Sequence, residues 1–397
     1  VTVSGNVPPP EAAVRAVLDT SSQWTRRIEI YEYDNETLWN AGGVPRIIDG
    51  NISVDYSRDE RRTLDLVLDN SDGALRHDPY DGFWYDKIIR LYRGIKYWTI
   101  DSITGKAIQT EYEAQVGAFM IDRIDAQYFP HTISVTGRDF TKKMLTSKLE
   151  RSMQFPAGTA VEDVVAAVAA NAGIFGVILP NTGLTVDSTT VFERGTARWK
   201  VCKDVANAAN HELFFNGTGY LVMRPFRDPT TSPIEYTFQT GATYGNLITY
   251  QKSSNDARVF NHIVVAGDDE INSDSNGAST NIVFAEVRNE NPDSPTRIER
   301  IGDRYISYQS SLFDTQEKAN NFANSQLSIL ALEEFNIDFE SLVVPWMEAG
   351  SIVQILVPGN TAYEPTRFLL DTIKIPLRLG PMSGTGRRVT IVGSKNN

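Results

Sequence analysis

Four short strings occur twice along this chain, in the same order and far apart. Thr63-Leu-Asp-Leu66 matches Asn336-Ile-Asp-Phe339, and Lys87-Ile-Ile-Arg-Leu91 matches Ser351-Ile-Val-Gln-Ile355. Phe119-Met-Ile-Asp-Arg-Ile124 matches Phe368-Leu-Leu-Asp-Thr-Ile373, and Thr132-Ile-Ser-Val-Thr-Gly137 matches Arg388-Val-Thr-Ile-Val-Gly393. The insertions fall in the turns between them. One such match is what any two strands with a shared burial pattern show. Four in order indicate that a small β-module was duplicated. Two copies in one chain can occupy equivalent places in a ring, so three chains would present six near-equivalent modules.

The pattern inside the strings supports strands. Ile52, Val54 and Tyr56 alternate with Ser53, Asp55 and Ser57, and Leu64, Leu66 and Leu68 alternate with Asp65, Val67 and Asp69. Period-two alternation means one buried and one solvated face. Arg58-Asp-Glu-Arg61 between these runs reads as a charged hairpin tip. Further strands are expected at Lys87–Tyr92, Phe119–Ile124 and Thr132–Thr136.

A chain of 397 residues exceeds what one core usually serves, so two or three domains are expected. Residues 1–23 read as an arm. Pro8-Pro9-Pro10 favours extended backbone before a short helix over Glu11–Leu18, and so thin a segment packs on a neighbour. Residues 24–139 form the first β-module. Residues 140–232 form a helical insertion with a β-hairpin. Residues 233–397 form the second β-module, with long loops at Asp268–Thr280 and Asn289–Thr296 and one helix. The class is α+β, mostly β: two barrel or sandwich modules separated by a helical insertion.

Helices are expected at three places in the insertion. One covers about Phe140–Leu149. The second starts at a Thr159/Glu162 capping box, keeps Val161, Val164, Val165, Val168, Ala169 and Ala172 on one stripe, and ends at Gly173. The third covers about Ala197–Asn210, with Trp199, Cys202, Val205, Ala206 and Ala209 inward. The hairpin is Glu212–Phe215, a Gly217-Thr-Gly219 turn and Tyr220–Met223. In the second module, Asp314 and Glu317 start a helix whose stripe is Ala319, Phe322, Ala323, Leu327, Leu330 and Ala331.

Composition removes several functions. The formal net charge is −12 and no Lys/Arg cluster makes a basic face, so binding of nucleic acid through phosphates is not expected. No window of about 18 apolar residues exists to span a membrane as a helix. The opening Val1-Thr-Val-Ser-Gly5 lacks a secretory signal. The single cysteine, Cys202, excludes an intrachain disulfide and reads as core. His77, His131, His211 and His262 show no metal-ligand spacing.

The carboxylate groups Glu111/Glu113, Asp268/Asp269/Glu270 and Glu333/Glu334 are the places where glycoside hydrolysis could hide. They read respectively as an exposed strand face, a polar loop and the solvated end of a helix. Glu270–Asp274 lacks the glycine of a calcium loop, and Asn281 stands where its bidentate Glu belongs. Gly384-Thr-Gly386 with Arg387 and Arg388 lacks the ending of a phosphate loop and reads as a turn. Of Trp24, Trp39, Trp84, Trp98, Trp199 and Trp346, most read as core. Trp84, between Phe83 and Tyr85, is the candidate interface anchor. No catalytic, cofactor-binding or metal residue is assigned, and no cofactor.

The order of parts, with the strand-to-helix junction Val135-Thr-Gly-Arg-Asp-Phe-Thr-Lys-Lys-Met-Leu145, resembles the tail hub proteins of tailed bacteriophages. The segment from Val54 to Asn70 and Asp81-Gly-Phe-Trp-Tyr-Asp86 are similar to tail-tip minor tail proteins in long-tailed phages of actinobacteria. The resemblance covers roughly residues 25–395 and implies that the two β-modules are tail-tube-like. It implies a structural virion protein, not an enzyme: a homotrimeric tail-tip or baseplate hub. Such a hub adapts the sixfold tail tube to a threefold tip and lines the channel for DNA exit. It implies a distal tail ring or tube protein above, a central fibre or other tip protein below, a tape-measure protein in the lumen, and DNA passing without specific binding. Assembly would take place in the host cytoplasm. A hydrolase or needle domain, which follows some hubs, is expected on another chain. Two other readings compete: a tail-tip or fibre protein that binds the host surface through an exposed aromatic groove, and a cell-wall hydrolase.

Overall fold

The alternating runs become strands because one face of each has an apolar core to bury. The computed structural model describes residues 13, 17, 23–39, 45–186, 188–241, 245–254, 259–267, 283–331, 333–357 and 366–389. The first part contains β1 (Gln23–Tyr31), β2 (Arg46–Asp55), β3 (Arg62–Asp69), β4 (Ile88–Ile100), β5 (Ala107–Tyr128) and β6 (His131–Arg138). The middle contains α1 (Thr141–Thr146), β7 (Met153–Phe155), α2 (Val161–Asn171), β8 (Val177–Ile178), β9 (Thr190–Phe192), α3 (Arg198–Ala208), β10 (His211–Phe215) and β11 (Leu221–Pro225). Next come β12 (Tyr236–Gln239), β13 (Leu247–Ser254), β14 (His262–Ala266), β15 (Phe284–Arg288), α4 (Ile298–Ile301), β16 (Tyr305–Gln309) and α5 (Gln316–Leu330). The last strands are β17 (Glu333–Ser341), β18 (Ile352–Leu356), β19 (Thr366–Pro376) and β20 (Met382–Val389).

The two β-rich parts meet in one sheet of order β1-β4-β5-β6-β3-β2-β19-β20-β17-β13, with β18 beside β19 and β12 beside β18. The join is β2 against β19, where Asn51–Asp55 runs antiparallel to Thr372–Pro376. The order does not return on itself, so among the described residues neither part is a closed barrel.

Each half follows one plan, β1-β4-β5-β6-β3-β2 and β12-β18-β19-β20-β17-β13. Their registers agree residue for residue. Ile89 faces Phe119 as Val353 faces Phe368. Leu64 faces Gly137 as Ile337 faces Gly386. Met120 faces Arg138 as Leu369 faces Arg387. Two of the irregularities coincide as well. A bulge at Asp122 answers one at Asp371, and one at Ile48 answers one at Ile248. Since a slip of one residue would exchange the buried and solvated faces, this agreement is specific. The outermost strands differ: β1 is antiparallel to β4, and β12 is parallel to β18.

Three of the four string matches hold in this register, and the fourth does not. Thr132–Gly137 corresponds to Pro381–Gly386, so the true echo is Ser134-Val-Thr-Gly-Arg138 against Ser383-Gly-Thr-Gly-Arg387. Gly384-Thr-Gly386 is therefore the middle of β20 and not a turn. The glycines sit where a neighbour fills the inward position. A Cβ on Gly384 would lie 2.7 Å from the Phe339 ring, and one on Gly386 would lie 2.9 Å from the Leu369 carbonyl oxygen.

The inward residues of both halves form one continuous core. It includes Ile52, Leu64, Leu66, Phe119 and Val135 from the first and Phe238, Ile337, Phe339, Phe368 and Ile373 from the second. The middle of the chain has its own core, with Val164, Val168, Trp199, Cys202 and Phe215 packed under Ile88 and Met120 of the sheet. A third small core lies between β13 and β17 in the sequence. There β14 pairs with β15 and β16, and α5 covers them with Phe322 and Ala323. Of the arm, the described residues Ala13 and Val17 rest on Ile95 and Tyr97 of β4.

Two helix starts differ from expectation. The N-cap of α2 is Ala160, and the capping box does not form. The Thr159 hydroxyl donates to the Pro156 carbonyl (2.7 Å), while Glu162 accepts from Thr182 (2.8 Å). The loop ahead of α3 supplies the missing acceptor, since the Val161 amide donates to the Leu184 carbonyl (3.0 Å). At α5 the cap is Thr315, whose hydroxyl accepts from the Lys318 amide, and Asp314 pairs with the Lys318 ammonium (2.8 Å).

Candidate functional site

The solvated face of the joined sheet is rich in hydroxyls, because its outward positions alternate with the apolar ones. They include Ser53, Thr63, Ser134, Thr136, Thr372, Ser383 and Thr385. The Thr372 and Thr385 hydroxyls touch at 2.8 Å. An open depression of about 870 Å³ runs over β2, β19, β20, β17 and β13 on this face. Its acids are Asp55, Glu60, Asp338 and Glu340. Its cations are Arg58, Lys374 and Arg61, the last engaged by Glu212. Mixed charge among hydroxyls offers no cationic track for a phosphate backbone.

Each half holds an ion pair at its bulge. The bulge turns Asp122 toward Arg138, with Nε–Oδ2 at 2.7 Å and Nη2–Oδ1 at 3.0 Å. It turns Asp371 toward Arg387, with Nε at 2.9 Å from both carboxylate oxygens. The settings differ. The first pair is partly exposed and is joined by Lys142 and Glu60. Burial opposes the charge on Asp122, but Arg138 and Lys142 hold its carboxyl below the usual range. The second pair is buried, and Arg387 also donates to the Ile329 carbonyl in the last turn of α5 (2.9 Å).

The tip between β2 and β3 is not a free charged turn. Arg61 and Arg62 are buried. Arg61 meets the Glu212 carboxylate at 2.6 Å and lies between the Tyr56 and Phe214 rings. Arg224 reaches the same carboxylate. Burial works against Glu212, yet the two guanidiniums keep its carboxyl below the ordinary range. Arg62 donates to the Phe215 carbonyl (2.7 Å) and pairs with Glu348. These contacts tie the insertion's hairpin to the junction of the two halves. Beside them, Asp139 accepts from the Arg62 and Thr141 amides (2.9 and 3.0 Å), and its burial pushes its carboxyl up to about 6.

Among the described residues, the candidates read from the sequence do not converge on one another. Glu111 and Glu113 share the exposed end of β5, against Lys96 and Arg27. Asp268, Asp269, Glu270, Asp274 and Asn281 lie outside the described residues, as do the side chains of Glu333 and Glu334. The backbone of Glu333 and Glu334 opens β17 rather than ending a helix. His211 bonds the Ala209 carbonyl, and His262 lies between Glu286 and Asp303. Among the described residues no three His, Cys, Asp or Glu side chains gather as metal ligands. Cys202 is buried in the insertion core, which pushes its thiol well up. Trp84 is half-buried and stacks on His77, while Phe83 beside it is core. No helix among the described residues is long and apolar enough to cross a membrane. Sequence reasoning missed the two bulge pairs. Their signal was present as Phe-x-x-Asp followed by Ser-x-Thr-Gly-Arg in both halves.

No family model and no curated protein matches this chain. Solved structures do. A tail protein from Neisseria meningitidis MC58 superposes with a TM-score of 0.60 at 14% identity, covering 91% of this chain and 96% of that one. A 43 kDa tail protein of a prophage in Shewanella oneidensis gives 0.57 at 13% identity, over 92% and 98%. A prophage tail protein from Listeria monocytogenes EGD-e gives 0.53 at 10%, over 91% and 94%. The chain is mostly β and has the fold of these phage-type tail proteins over nearly their whole length.

Proposed function

We propose that this chain is a structural tail protein of a phage-type particle, a homotrimeric hub at the tail tip. One observation carries the reading: a single sheet repeats one strand order, one register and two bulges. Three chains so built offer six like units to a sixfold tube and three like insertions to a threefold tip. The hydroxyl-rich face then lines the channel. A surface without a cationic track lets a polyanion slide past without binding. A tail ring or tube protein sits above, a fibre or other tip protein sits below, and a tape-measure protein fills the lumen before DNA passes. The work is mechanical and needs no catalytic group. The chain belongs to the virion and assembles in the host cytoplasm.

Electron micrographs of the purified protein test this reading. Rings with threefold symmetry, six inner lobes and an open centre are expected. Lysis of host cell wall in a zymogram, or tight binding to its glycan, would overturn it.

A further inference from the structure

The halves of the sheet are alike, but only one junction between them lies inside the chain. There β2 adds to the edge of β19 just beyond β18, pairing Asn51 with Pro376, Ile52 with Ile375 and Ser53 with Lys374. The Leu377 amide donates to the Gly50 carbonyl at 2.9 Å. The shared registers give each partner a counterpart. In the second half β13 stands where β2 stands, so Gln251, Lys252 and Ser253 replace Asn51, Ile52 and Ser53. In the first half β5 stands where β19 stands, so Asp125, Ala126 and Gln127 replace Lys374, Ile375 and Pro376. Among the described residues β13 ends the sheet, and β5 runs on past the last residue that β4 covers, Met120. Exposure marks the difference. Leu377 is 0% exposed beneath β2, and its counterpart Tyr128 is 78% exposed.

We infer that the partner of both edges is a second copy of this chain. Its β13 adds antiparallel to β5 with Gln251 opposite Gln127, Lys252 opposite Ala126 and Ser253 opposite Asp125. The inference rests on the hub reading and specifies its interface. Repeated head to tail, this contact carries the internal junction's geometry from chain to chain and closes after three copies. The contact differs in chemistry from the internal one. Ile52, Val54, Ile373 and Ile375 seal the internal junction and are all buried. Lys252 and serines stand in place of Ile52 and its neighbours on β13. Main-chain hydrogen bonds therefore hold the new contact, with little apolar burial behind them, so it is reversible.

Cross-linking tests the register. The double variant Lys252→Cys with Ala126→Cys is oxidised and run without reductant. A slipped pair, Lys252→Cys with Gln127→Cys, places the thiols on opposite faces. Bands that stop at three chains for the first pair, with at least tenfold less for the second, are expected. Ladders beyond three chains overturn closure. Hydrogen exchange on the unmodified protein gives a second measurement that does not depend on either variant folding. Protection of Ile124–Tyr128 and Leu247–Ser254 is expected to rise with concentration. If the mass reaches three chains while the pair fails to cross-link and neither segment gains protection, the register is wrong and the hub reading stands. If no trimer forms at any concentration, both fall.

Discussion

Leu377 and Tyr128 occupy the same register position in the two halves of the sheet, one sealed under a neighbouring strand and the other open. The bulge pairs repeat the contrast. Asp371 and Arg387 are 7% and 10% exposed in their side chains, while Asp122 and Arg138 are 23% and 34%. Duplication copied the backbone plan, register and bulges. What differs is what each copy packs against. The second half lies between β2 and α5 of the same chain. The corresponding edge of the first half is left at the surface. In the proposed trimer, interior and interface thus come from one design, distinguished by whether the covering strand is covalently attached.

Substitutions at matched positions can break this comparison, and the largest effect is expected at the buried pair. Arg387→Ala takes the bidentate guanidinium away from the buried Asp371 carboxylate and is expected to cost about 3–5 kcal/mol in urea unfolding. A loss under 1 kcal/mol would mean that water reaches the bulge. Leu377→Ala is expected to cost about 3 kcal/mol, because it opens a cavity under β2. Tyr128→Ala in the dilute monomer is expected to change stability by less than about 0.5 kcal/mol while weakening self-association.

Asp139 gives a pH test. Its carboxyl is raised to about 6, so between its unfolded value near 4 and about 6 the folded state holds a proton that the unfolded state has released. Stability from this group therefore falls as pH rises through that window, by about 3 kcal/mol, and is flat above it. Asp139→Asn is expected to remove that slope in thermal melts from pH 4 to 7. An unchanged slope would assign it elsewhere. Of the two bulge pairs the smaller effect belongs to Arg138→Ala, about 1 kcal/mol or less, because the pair is partly solvated and Lys142 stays on Asp122. Equal losses at Arg138 and Arg387 would erase the distinction between the halves.

Much of this plan was legible in the sequence because strand burial has a period of two. Leu64, Leu66 and Phe119 announced the first half, and Ile337, Phe339 and Phe368 the second. The stripes of α2, α3 and α5 were legible for the same reason, with their own period. Three things were not. β20 was misplaced because Gly384 and Gly386 take inward positions without side chains, which blanks the alternation. The far ends of β4 and β5, from Trp98 to Ile100 and from Ala107 to Glu111, are exposed or half-exposed on both faces and leave no pattern. The buried Arg61–Glu212–Arg224 group joins residues distant in sequence, and Arg58–Arg61 read alone as a solvated tip. The candidate face was only half legible: its hydroxyls stand in the sequence, but the β2–β19 join that assembles them into one surface does not.

The most direct measurement is solution mass by light scattering over rising protein concentration. With a chain of 44.2 kDa, the expected mass climbs from one chain to three and stops there. A plateau at two chains, growth beyond three, or a mass that never leaves one would contradict the ring of six matched units.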